Sequence, residues 1–86
     1  LGLEDMVETV LSRMGYVKQI IIVGDYAKGI DSGNIEVFLI GDNLDMEYIS
    51  QLENKIEKLI KRKVSFYLAN KFISDQPHIV LFNEKK

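Results

Sequence analysis

The chemistry-bearing residues of this chain crowd into one stretch, Gly24-Asp25-Tyr26-Ala27-Lys28-Gly29, followed shortly by Asn34 and Glu36. Glycines bracket an acid, a phenol and an amine. A strand that ends in glycine and turns into a helical turn aims backbone N–H groups outward, where they can hold a phosphate. Glycine at a strand end also serves geometry alone. Asn34 and Glu36 are spaced i and i+2, so on a strand they share one face. The stretch lacks the Gly-Lys-Ser/Thr of a phosphate-binding P-loop. Its glycine spacing also differs from the dinucleotide-binding fingerprint.

Other chemistries are excluded by composition. The chain has no cysteine, so it carries no disulfide, thiolate metal site or cysteine nucleophile. Its one histidine, His78, follows Pro77 without a partner motif and reads as a surface or turn residue. A net charge of −2 gives no global basic field for nucleic acid. Five of the eleven basic residues, Lys55, Lys58, Lys61, Arg62 and Lys63, gather near the end of one predicted helix. Glu53 and Glu57 interleave with them, which reads as a solvated face; Glu57 and Lys61 form an expected i,i+4 pair. Asp42, Asp45 and Glu47 read as acids around a helix start. The apolar run Ile20 to Val23 is far short of a membrane span, so no membrane partner is expected and a cytoplasmic setting is.

The elements that must position these groups follow from periodicity. Leu3, Met6, Val7, Val10, Leu11 and Met14 make one face of a helix over 3–14. Val17 to Val23 is rich in β-branched residues and ends in the apolar run Ile20 to Val23, which predicts a strand buried on both faces. Asn34 to Ile40 predicts a second strand. A second main helix spans 45–61, with Met46, Ile49, Leu52, Ile56, Leu59 and Ile60 as its buried stripe. Lys63 to Ala69 alternates as a third strand, with Val64, Phe66 and Leu68 on one face. Ile79 to Phe82 is a short fourth strand, and 70–74 reads as loop or one helical turn. A helix joining two strands favours a parallel or mixed crossover. The expected fold is thus α/β (α+β): a small mixed sheet covered by two main helices, in one domain over 1–86. The chain opens on Leu1 rather than methionine, which suggests a piece of a longer protein.

The Gly24–Gly29 segment, followed by Asn34-Ile35-Glu36-Val37, resembles the core of the nucleotidyltransferase superfamily of the DNA polymerase β type, its minimal members especially. Their pattern is Gly-Ser, an aromatic, Ala-Arg-Gly, a short loop, then Ser-Asp-x-Asp on the next strand. The resemblance covers roughly Val17 to Leu68. It implies a nucleotidyltransferase-like fold and two-metal phosphoryl transfer. Carboxylates at i and i+2 chelate Mg²⁺, and a third on a neighbouring strand helps deprotonate the attacking hydroxyl. The resemblance makes Gly24, Asp25, Lys28, Gly29, Asn34 and Glu36 the candidate nucleotide-binding residues.

The chain departs from that pattern at each chemical position. Asp25 stands where the loop serine belongs, neutral Asn34 at the first metal carboxylate, Glu36 at the second, and Ser65 at the expected third. The loop Ile30 to Gly33 is about two residues shorter than is usual for such proteins. Unit charges about 4 Å apart repel by roughly 4 kcal/mol at an effective dielectric near 20, so Asp25 opposes a triphosphate. A degenerate, non-catalytic domain is therefore expected, with no catalytic residue, metal ligand or cofactor. The opening Leu1 to Asp5 resembles the entry to the C-terminal domain of winged-helix transcriptional regulators. That implies a regulatory, sensor or dimerisation module, with DNA bound by a domain outside this chain. A homodimer packed through the first helix is the expected partner arrangement. The alternatives are an active minimal nucleotidyltransferase using Mg²⁺ and a nucleoside triphosphate, or a nucleotide binder without chemistry.

Overall fold

The structure, a computed structural model, describes residues 2–84. It is a mixed α+β fold. Helix α1 (Leu3–Arg13) leads into β1 (Val17–Val23), the short helix α2 (Gly24–Ala27) and β2 (Asn34–Gly41). A 3₁₀ turn (Met46–Tyr48) enters α3 (Ile49–Ile60), then come β3 (Lys63–Ala69) and β4 (His78–Asn83). The sheet order is β3-β2-β1-β4. Strands β1/β2 and β1/β4 are antiparallel, and β2/β3 are parallel across the α3 crossover, as expected of a helix that joins two strands.

Period-two alternation divides the sheet's side chains between two faces. Ile20 and Ile22 of β1, Ile35, Val37 and Leu39 of β2, and Val64 and Phe66 of β3 meet the helices. Met6, Val10 and Met14 from the α1 region and Leu52, Ile56 and Ile60 of α3 complete that core. Each such side chain, fully withdrawn from water, contributes about 1.5–3 kcal/mol. On the opposite face Ile21, Val23 and Ile40 are buried, with Phe38, Ala69 and Phe72 packed against them. Strand β1 is therefore covered on both sides over Ile20 to Val23, as the apolar β-branched run at its end predicted.

The second cover is the segment 70–77, and topology dictates its course. Strands β3 and β4 point the same way at opposite edges, so their connection must return along the sheet and cross two strands. At about 4.8 Å between strands and 3.3 Å per residue, that diagonal is roughly 25 Å. The eight residues make nine Cα–Cα steps from Ala69 to His78 and reach at most about 30–32 Å, so the segment must run largely extended. It is irregular throughout. Phe72 anchors it, with ring centroids 5.5 Å from Phe38 and 4.9 Å from His78.

Three sequence expectations need correction. The α1 stripe is closed within this chain: Met6, Val10 and Met14 are buried with α3 and the sheet, and Leu3, Val7 and Leu11 pack half-buried against the same cluster. Met46 is 72% exposed, because the chain opens this region as a 3₁₀ turn whose three-residue period falls out of phase with α3. Leu59, on the flank of the α3 stripe, is 41% exposed.

Candidate functional site

The loop after β1 is built by Gly24, whose φ of +74° lets extended Val23 turn directly into α2. The same residue allows a close approach. A Cβ on Gly24 would overlap the Glu36 carboxylate and lie 3.2 Å from its Cδ. The acid therefore rests on the bare backbone of the loop's first residue. Glu36 reaches that position from β2, where Val23 and Ser65 are its register partners on either side. The Tyr67 hydroxyl donates to Glu36 Oε1 at 3.3 Å. Tyr67 in turn lies 5.3 Å from Phe38, ring centre to ring centre, so the carboxylate borders the aromatic cluster under the strap.

The rest of the loop folds onto itself. Lys28 and Ile30 N–H both donate to the Asp25 carbonyl at 2.9 Å, and Gly29 N–H donates to the Tyr26 carbonyl at 3.1 Å. Three amides that could have faced a phosphate are thus engaged internally. Tyr26 and Ala27 pack half-buried against the core. The Asp25 and Lys28 side chains, and Gly29, are exposed.

Of the sequence-predicted residues, the fold brings Gly24 and Glu36 into contact. Asn34 shares the face of Glu36 but lies exposed at the start of β2, beside Lys63 in register. Among the described residues, no three His, Asp or Glu side chains gather as a metal-binding group. Chemically the arrangement is one carboxylate at a phenol's hydrogen bond, over a tight glycine turn.

Sequence reasoning missed two features around this loop. Arg62, read within the basic face, reaches across to Asp31: its Nε donates to Asp31 Oδ2 and Oδ1 at 2.9 and 3.0 Å. Asp31 also accepts from Gly33 N–H at 3.2 Å. The Arg62 hydrogen bonds, and then that of Gly33, hold the Asp31 carboxyl below its ordinary value, while Asp31 holds the Arg62 guanidinium above its own. The pair clips the loop before β2 to the turn before β3. Second, Glu53 and Glu57 are not merely interleaved acids. Glu57 Oε2 accepts from Val64 N–H at 3.0 Å and Glu53 Oε2 from Phe66 N–H at 3.1 Å. Glu57 is thereby directed to the sheet edge rather than to Lys61. Their i,i+4 spacing on α3 matches alternate amides on β3, a signal visible only once the crossover is known.

Asp45 acts as expected, its Oδ1 accepting from Glu47 N–H at 2.9 Å at the start of the 3₁₀ turn. Asp42 instead pairs with Lys18 at 2.8 Å. Near the other end of β1, the Tyr16 hydroxyl donates to Glu84, and that hydrogen bond holds the Tyr16 phenol above its ordinary value. His78 opens β4 exposed, with Nδ1 2.9 Å from the Gln76 carbonyl. No helix among the described residues is long and apolar enough to cross a membrane. No protein-family model, curated protein or solved structure matches this chain.

Proposed function

We propose that this chain is a catalytically degenerate nucleotidyltransferase-like domain that serves as a regulatory and dimerisation module. In this reading DNA is contacted by a domain outside these residues, and the protein works in the cytoplasm as a transcriptional regulator. One observation carries the non-catalytic half: Glu36 stands between Val23 and Ser65 and rests on Gly24. Mg²⁺ keeps a strict octahedral shell and gives up water reluctantly, so two-metal chemistry needs several carboxylates around one point. Asn34, Glu36 and Ser65 supply a single carboxylate, and this donor set does not fit that task. The position of Glu36 also sets a negative charge against the loop that would otherwise receive a phosphate. The inward-turned amides of Lys28, Gly29 and Ile30 support the same reading.

The test is a transfer assay. The chain is incubated with labelled nucleoside triphosphates, Mg²⁺ and either protein or polynucleotide acceptors. The expected result is no label transferred. Transfer by the wild-type chain that disappears in Glu36→Ala overturns the proposal in favour of an active minimal nucleotidyltransferase.

A further inference from the structure

The two edges of the sheet are treated differently. At the β3 edge, Glu57 and Glu53 accept from the Val64 and Phe66 amides, so two backbone donors that could recruit another strand are already engaged by side chains of α3. At the β4 edge nothing comparable exists: among the described residues, no side chain bonds the backbone of Ile79 to Asn83. The sequence of that edge is also unprotected. Natural edge strands are blunted by lysines, prolines or inward charges. From Gln76 to Asn83 there is no charged residue, and the one proline, Pro77, precedes the strand. Ile79 and Val80 stay 40% and 46% exposed. One device is present, a bulge at Leu81 opposite Ile20–Ile21, which leaves His78 to Val80 as the regular stretch.

We propose that β4 pairs antiparallel with β4 of a second copy, joining two four-stranded sheets into one. The inference rests on the dimerisation half of the reading above and moves the interface from α1, whose stripe is closed, to the sheet edge. Charge selects a second copy in this orientation. The uncharged run follows Asp75 and is followed in sequence by Glu84, Lys85 and Lys86, whose formal charges sum to +1. Antiparallel pairing sets the acidic end of one run toward the basic end of the other, whereas parallel pairing sets like against like. Within the run no charge opposes another, so backbone hydrogen bonds and the Ile79 and Val80 side chains act without electrostatic cost.

The experiment is sedimentation velocity on the 86-residue chain from about 5 to 500 µM, a range that resolves micromolar association. A reversible monomer–dimer equilibrium is expected. Val80→Lys should weaken it about tenfold or more, by setting a charge on the paired edge. Met46→Lys, at an exposed position in the turn before α3, should leave it unchanged. Circular dichroism checks that each variant is folded. Amide exchange on the wild-type chain gives a second readout that needs no variant: protection that rises with concentration should be confined to β4. A dimer insensitive to Val80→Lys, with rising protection elsewhere, overturns this inference and leaves the dimerisation reading standing. A monomer at every concentration overturns both.

Discussion

Substituting Gly24 by alanine tests the contact on which the site description depends. At φ of +74° an L-residue is strained, at about 1–2 kcal/mol. The added methyl must also displace the Glu36 carboxylate, since it would overlap that group. Moving Glu36 loosens its hydrogen bond from Tyr67, worth about 0.5–1.5 kcal/mol. Alanine restricts the unfolded chain and returns about 0.4–1 kcal/mol. The net expectation is a loss centred on about 1.8 kcal/mol, within about 0.5–3 kcal/mol, the centre corresponding to roughly 7–14 °C in Tm for a domain of this size. Gly29 is the control, with φ of +85° and nothing within 4 Å of the place an added methyl would take, so Gly29→Ala carries the strain without the collision. It should cost about 1 kcal/mol less than Gly24→Ala. In a Glu36→Ala background the difference between the two glycine positions should vanish. Urea unfolding of the glycine variants in both backgrounds measures all of this. Equal costs at Gly24 and Gly29 in the wild-type background would refute the reasoning.

Two further outcomes follow from the side-chain bonds. Glu53→Ala and Glu57→Ala should each destabilise by about 1–2 kcal/mol in urea unfolding, because a partly buried β3 amide loses a charged acceptor; a change below about 0.3 kcal/mol in both would contradict the capping role. The Asp31 carboxyl is held low by Arg62 in the folded chain, so its contribution is present above the unfolded aspartate value, near 3.9, and is lost as pH falls through the lower folded value. Arg62→Met should therefore lose stability at neutral pH and show a shallower acid decline below about pH 4, by denaturant midpoints; parallel wild-type and variant profiles would contradict the ion pair's role.

The strands β1 and β3 were legible to the residue, because burial on both faces and period-two alternation each leave a distinct pattern in Val17–Val23 and Lys63–Ala69. The α3 stripe was legible at Leu52, Ile56 and Ile60 but not at its start. A spacing of three continues through Met46 whether the turn there is α or 3₁₀, and only the α turn keeps the phase. The strap 70–77 was hidden for a different reason. Its path follows from the order β3-β2-β1-β4, and no local signal in Asn70 to Pro77 states which edges it must join. In the candidate site, Gly24 and Glu36 were legible as a glycine turn and a strand carboxylate. That the carboxylate lies on the glycine, and that Arg62 crosses to Asp31, depend on contacts between segments well separated in sequence, which no local pattern encodes.

The non-catalytic reading meets its most direct test in thermal unfolding with nucleoside triphosphates, in the presence and absence of Mg²⁺. A ligand held through bound metal raises Tm by mass action only when both are present. The expected result is a Tm that does not respond to the metal–nucleotide combination beyond the effect of either alone. A metal-dependent rise in Tm that is abolished by Glu36→Ala would contradict it.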